Sequence, residues 1–252
     1  MTVENVSEIA LMAGGILLEN GAETHRIEGT VSSICQSYGL NAECLSMSNG
    51  ILLSTQDSAH RKVTSMKKVC PKQVDLYRIE LINSFSRKLK NNKISYEDAI
   101  KILESIQDSP TFTFPVRIFA SCMTGFVYSL FFNGSLIDGI ASIFVCLITY
   151  LITEKISNFG ISQFFKYYLA GFIIGGTSLL SHILFPSIKE NNVITGSIMI
   201  LLPGVVLTNG IKDVIFGYFS AGIAKFCEAL IIITAVSAGV GTALLIGMKG
   251  FY

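Results

Sequence analysis

Residues 229–248 read ALIIITAVSAGVGTALLIGM, twenty positions without an Asp, Glu, Lys or Arg. A membrane-spanning helix needs about 20 apolar residues, with a range of 17–25, so this run predicts a span. Working back along the chain, Tyr167–Phe185 carries no Asp, Glu, Lys or Arg, and Leu136–Thr153 is apolar except for Asp138. Ile118–Phe132 is uncharged and starts just after Arg117. Val193–Ile211 is also uncharged, but it contains Pro203-Gly204 and Asn209. Allowing for flanking residues, five spans are expected, at about 115–133, 136–153, 165–185, 193–211 and 226–248.

Charge divides the chain. Residues 1–110 hold 25 of the 37 charged side chains, and residues 111–252 hold the other 12. The first part has the charge density of a soluble domain and the second that of a membrane domain. The expected fold is therefore an α-helical membrane domain (111–252) preceded by a small cytoplasmic α+β domain (1–110). The formal net charge of +1 argues against a nucleic-acid partner, which calls for a basic excess. The hydrophobic content of 50% excludes a disordered chain. With the first domain in the cytoplasm, Arg117, Lys155, Lys166, Lys212 and Lys225 fall inside, and Lys189 and Lys249 outside. That follows the excess of basic residues in cytoplasmic loops and puts the C-terminus outside. The acidic start, Met1 to Glu8, has no basic-then-apolar pattern, so no signal peptide is expected.

Within residues 1–110 the periodicity is helical, then alternating. Val6, Ile9, Ala10, Ala13, Ile16 and Leu17 recur at helical spacing up to Asn20-Gly21, where glycine suits a helix stop. Ile27, Val31, Ile34, Cys35 and Tyr38 form a second stripe, ended by Gly39. Asn49-Gly50 sits between two apolar stretches and signals a β-hairpin. Residues 61–69 suggest a third strand. Val74, Ile79, Ile82, Phe85 and Leu89 predict another helix, and Ser95 with Asp98 caps the start of a last one. The six cysteines show no C-x-x-C pair and lie far from the three histidines. Neither a metal site nor a disulfide framework is expected.

Chemistry concentrates in two places. Pro203-Gly204 interrupts an apolar segment, and such a break is tolerated at membrane depth only beside protein or a water-filled cavity. Discontinuous segments point to transporter binding sites; a plain proline kink is the alternative. Thr208, Asn209, Lys212 and Asp213 follow, and Asn209 and Asp213 share a helix face. Lys225 and Glu228 open the last span at i, i+3 spacing. Ionisable residues in spans mark ion or substrate paths by default, with an interfacial ion pair as the alternative. Asp138 near a helix start favours the helix dipole, and His182 reads as hydrogen-bonded packing. The second place is Gly21-Ala22-Glu23-Thr24-His25-Arg26-Ile27-Glu28, where Glu23, Arg26 and Thr30 share a helix face. Spacing alone makes this a solvated face with a weak ion pair. Gly171 and Gly175, and separately Ala235, Gly239, Ala243 and Gly247, form small-residue stripes suited to close helix packing. The first is read as packing within the chain. The second is packing or a subunit interface, which would make a homo-oligomer.

Gly21-Ala22-Glu23-Thr24, with Arg26, Glu28 and Thr30, resembles the G-A-E-T-x-R-x-E-x-T signature of the threonine/serine exporter family. Asn83, Ser86 and Arg87 resemble its N-x-x-S-R element. Pro203-Gly204-Val205 with Leu207 to Asp213 looks like its P-G-V-x-L-T-N-x-I-x-D element. The three elements stand in the family's order across nearly the whole chain. The resemblance implies a multi-pass protein of the bacterial inner membrane that exports threonine and serine, or succinate and related dicarboxylates, driven by the proton gradient. It further implies the larger chain of a split exporter, working with a second, YjjB-like membrane chain. No G-x-x-x-x-G-K-[ST] phosphate loop is present, which suits a gradient-driven carrier without cofactors. A membrane-anchored enzyme using Glu23, His25 and Glu28 is a rival reading, but no G-x-S-x-G or H-E-x-x-H motif supports it. A regulatory subunit that only stabilises the second chain is another.

Overall fold

The computed structural model describes residues 1–70, 74–157 and 162–250. The outward position expected for the C-terminal end, Phe251-Tyr252, lies outside the described residues. The chain forms two compact units. One comprises Met1–Pro110 with Val205–Cys227, the other Thr111–Gly204 with Glu228–Tyr252.

In the first unit, α1 (Val3–Glu19) starts where the Thr2 hydroxyl accepts from the Asn5 N–H. Its stripe of Val6, Ile9, Ala10, Ala13, Ile16 and Leu17 is buried. It ends as expected at Gly21, whose φ of +77° suits a residue without a Cβ. There Gly21 N–H donates to the Leu18 carbonyl and Ala22 N–H to that of Leu17, closing two carbonyls of the last turn. Next comes α2 (Thr24–Ser37), which buries Ile27, Val31, Ile34 and Cys35. Strands β1 (Asn41–Met47), β2 (Gly50–Gln56) and β3 (Lys62–Lys68) form an antiparallel sheet in chain order, with Met47 opposite Gly50 at the hairpin. Ile51, Leu53 and Thr55 are buried, while Leu45, Leu52 and Met66 line up across the strands on the exposed face. Asp75 caps α3 (Leu76–Asn91) and Ser95 caps α4 (Tyr96–Gln107). The order α-α-β-β-β-α-α agrees with the sequence reading.

Two further segments complete this unit: α9 (Gly204–Ile215) and the first turns of α10 (Phe219–Gly250). They are joined at Gly217, φ +87°, where Tyr218 N–H donates to the Asp213 carbonyl at 2.8 Å. The two helices meet glycine on glycine. A Cβ on Gly222 would lie 2.7 Å from the Gly210 carbonyl oxygen.

The second unit holds α5 (Phe114–Phe131), α6 (Leu136–Ser157), α7 (Gln163–Leu184), α8 (Glu190–Ile198) and the rest of α10. Among the described residues, α5, α6, α7 and α10 are long and apolar enough to cross a membrane. The expected fifth span, 193–211, is not one helix. It stops at Ile198 and restarts at Gly204, because Pro203 has no N–H to donate four residues back. A count of five spans is therefore not confirmed. The buried face of α5 is Ser121, Gly125 and Ser129, whereas its Phe119, Val127 and Phe131 point outward. This inside-out pattern fits a helix solvated by lipid, where small residues permit close approach.

Both small-residue stripes face each other within the chain. Gly171 lies against the Val236 backbone, Gly175 beside Ala243, and Gly239 against the Tyr168 and Phe172 backbone. Asp138 is a buried capping residue that accepts from the Ser135 and Lys189 backbone N–H groups, both at 2.8 Å, and from Asn192 Nδ2 at 3.0 Å. His182 Nδ1 donates to the Ile188 carbonyl at 2.6 Å. Both therefore have structural partners, as their positions in the sequence suggested.

Candidate functional site

The turn from α1 to α2 and the α9–α10 turn meet inside the first unit. Thr24 is the first residue of α2, so its backbone N–H has no partner within the helix. That N–H donates to Asp213 Oδ1 at 3.0 Å. The Thr24 hydroxyl donates to Asp213 Oδ2 at 2.7 Å, and Lys225 Nζ donates to the same oxygen at 2.7 Å. Asp213 is 0% exposed and the Lys225 side chain 14%. Lys225 also reaches the Ala22 carbonyl at 3.4 Å and Thr24 Oγ1 at 3.5 Å. A buried carboxylate thus has three donors, one of them a cation. A burial this complete is tolerated only with such pairing.

A second layer surrounds this pair. Asn209 Nδ2 donates to the Gly21 carbonyl at 2.9 Å. Lys212 Nζ pairs with Glu23 Oε1 at 2.6 Å. His25 Nε2 lies 3.5 Å from Glu23 Oε2, and its ring packs on Phe216 with centroids 4.4 Å apart. Glu28 accepts from the Ser46 N–H at 2.8 Å and from the Tyr218 hydroxyl. Burial, with that bond to a carboxylate, raises the Tyr218 phenol above its ordinary value.

The structure therefore joins Gly21, Glu23 and Thr24 to Asn209, Lys212, Asp213 and Lys225. It also corrects two pairings suggested by local spacing. Glu23 sits at the N-cap, ahead of α2, and pairs with Lys212; Arg26 is exposed. Lys225 bonds Asp213, and Glu228 is exposed and belongs to the second unit. Thr30 is half-buried on α2, away from these bonds. On α3, Arg87 pairs with Glu80 at 2.6 Å, Ser86 is buried, and Asn83 Nδ2 is buried with no hydrogen-bond partner among the described residues. Pro203 and Gly204 precede the cluster; the Gly204 N–H donates to the Leu202 carbonyl at 2.9 Å, and the Thr208 hydroxyl to the Val205 carbonyl at 3.1 Å. Tyr218, Phe216 and the Ala22 carbonyl belong to the cluster but were not singled out as site groups. The available signal was helical spacing, since Phe216 falls one turn beyond Lys212 and Asp213 on the same face.

Comparison with known proteins bears on what such a cluster serves. The family model described as "Putative threonine/serine exporter" matches residues 8–247. A threonine/serine exporter of Corynebacterium glutamicum is 26% identical over 96% of this chain, and the chain spans 51% of that protein's length. Proteins of Escherichia coli and Klebsiella aerogenes, each named a probable succinate transporter subunit YjjP, are 22% and 20% identical. With each of these the match covers 98% of this chain and 96% of the relative. No solved structure matches the chain significantly. Since the family model covers nearly its full length, the chain belongs to the threonine/serine exporter family.

Proposed function

We propose that this chain is a subunit of a secondary exporter of small carboxylate-bearing metabolites, threonine and serine first among them. It is not an enzyme in this reading. Residues 1–110 lie in the cytoplasm and export draws on the proton gradient across the inner membrane. The observation that carries the reading is the bonding of Thr24, from the first motif, to Asp213, from the last, with Lys225 of α10 bonded to both. Residues 189 positions apart are joined by hydrogen bonds, beside an Asp213–Lys225 charge pair that a proton or a substrate carboxylate can open. Asp213 receives the proton and Lys225 meets the carboxylate. Asn209, Lys212 and Glu23 shape the surroundings, and Pro203, Gly204 and Thr208 lead into them.

A second substrate reading has its own support. The two relatives that this chain matches over nearly their whole length are named succinate transporter subunits. A dicarboxylate, and a second membrane chain as companion, follow from that reading. Efflux of labelled threonine, serine and succinate from cells expressing this chain, with and without the companion, separates the cases. The expected result is export of one class that is lost in Asp213→Ala and Lys225→Met at equal membrane level. Unchanged efflux in both variants refutes the assignment of the path to this cluster.

A further inference from the structure

We infer that the donors around Asp213 form a seat for a substrate carboxylate, and that Asp213 itself fills that seat when substrate is absent. This rests on the exporter reading of the same cluster. The seat consists of the Thr24 N–H, the Thr24 hydroxyl and the Lys225 ammonium, at 3.0, 2.7 and 2.7 Å from the Asp213 oxygens. A free N–H at the start of a helix, backed by the helix dipole, is a ready anion site, and the cation adds charge-assisted strength. The group now in it is a carboxylate on a different segment, α9. That helix is short, 12 residues, and is bounded by the interruption at 199–203 and by the Gly217 turn. Its bonds to the α1–α2 turn run through Asn209, Lys212 and Asp213.

Exchange follows from charge balance. A proton taken from solution by Asp213 neutralises its carboxyl group. The substrate carboxylate then replaces it beside Lys225 and Thr24, and the net charge of the seat is unchanged. Among the described residues, Asp213 faces Lys225 on α10 and Tyr218 in the turn; Tyr218 itself neighbours Glu28 on α2 and Cys44 on β1, while Lys212 on α9 and His25 on α2 lie against Glu23. Two of these sort the substrate class. Glu23 offers an acceptor for the ammonium of an amino acid. Lys212 offers a cation to the distal carboxylate of a dianion. In the substrate-free chain they satisfy each other at 2.6 Å.

The test uses the full chain in lipid nanodiscs with formate, acetate, L-serine and succinate as probes. Asp213→Gly empties the seat, so formate or acetate should raise its unfolding temperature saturably, whereas chloride should not. Adding Lys225→Met should abolish that response. If Asp213→Gly does not fold, Asp213→Asn serves. It keeps the size, gives up the charge, and should bind serine or succinate at least about tenfold more tightly than the parent, a change of about 1.4 kcal/mol. Glu23→Gln should weaken serine alone and Lys212→Gln succinate alone. Equal stabilisation by chloride, a response that survives Lys225→Met, or an unchanged affinity in Asp213→Asn overturns the seat. Because binding is read apart from transport, a carboxylate response in a chain that exports none of these compounds would sink the exporter reading alone. Export without any carboxylate response would sink the seat alone.

Discussion

Removing the Lys225 cation alone should cost far more than removing both charges of the Asp213–Lys225 pair. In Lys225→Met the Asp213 carboxylate stays fully buried and keeps only its two bonds to Thr24. Breaking a buried pair from one side costs about 3–5 kcal/mol. The two Thr24 donors remain, so the lower end applies, about 3 kcal/mol. In Asp213→Asn the Lys225 ammonium keeps the Ala22 carbonyl and Thr24 hydroxyl within 3.4 and 3.5 Å, and the cost is about 1–2 kcal/mol. The double variant holds no unpaired charge and should also lose only about 1–2 kcal/mol, a coupling of about 2 kcal/mol or more. For a chain of this size that predicts a fall of about 6–12 °C for Lys225→Met, most of it recovered in the double variant. The chain has no tryptophan, so far-UV circular dichroism, or a thiol-reactive dye reporting the buried Cys35, follows unfolding. A Lys225→Met protein within about 2 °C of the parent would refute the reasoning. So would a double variant as unstable as the sum of the two single ones.

Gly21→Ala should destabilise by about 1–3 kcal/mol, because φ there is +77° and the new Cβ would lie 2.9 Å from Val74 Cγ2; the same unfolding assay reads it. Cys35 and Cys44, whose thiols burial pushes up to about 12, should resist alkylation in the folded protein at mildly alkaline pH. The exposed Cys70 should be modified, with mass spectrometry reading all three. The sign of the linked pH effect follows, since an unfolded thiol releases its proton near 9.0 and these two retain theirs to about 12. Their contribution to stability is therefore complete below that window and declines as pH rises through it, which unfolding at stepped alkaline pH checks. Reporters fused before Met1 and after Tyr252 should appear on opposite sides of the membrane if α8 and α9 together complete a fifth crossing. Reporters on one side would mean that only α5, α6, α7 and α10 cross.

The elements of residues 1–110 were legible because their determinants are local. The stripe of α1, its glycine stop, the Asn49-Gly50 hairpin and the serine cap of α4 each depend on neighbours within a few residues. The membership of 205–227 was hidden for the converse reason. Hydropathy weighs each side chain alone, so residues 205–211 read as the end of one span and residues 226–227 as the start of the next. What draws them to the first unit is Lys225, whose partners Ala22, Thr24 and Asp213 are 12 to 203 positions away. Spacing rules proposed Glu23 with Arg26 and Lys225 with Glu228 because they see only i+3 and i+4 neighbours. A buried charge is settled by whichever partner the fold delivers, and here the fold delivers α9.

The interruption at Pro203 is a sequence signal that the structure realises as a break between two helices. The break was legible, as a pointer to a transporter binding site with a plain proline kink as the alternative. At the break the Gly204 N–H donates to the Leu202 carbonyl at 2.9 Å. The consequence of the break lies further on. With the hydrogen-bond ladder ended at Ile198, α9 starts afresh as a helix of 12 residues, too short to be stable by itself. Its position is then set by its packing on α10 at Gly210 and by its own polar side chains. Asn209 and Asp213 lie one turn apart, with Lys212 beside them, on the face that meets the α1–α2 turn. A short helix held by three polar side chains as well as by its Gly210 contact with Gly222 is one whose attachment responds to the charge on one of those side chains. A continuous fourth span would not have that property, because its place would be fixed along its whole length by packing. The break at Pro203 therefore leaves the bonds of Asp213 as a larger share of what holds α9.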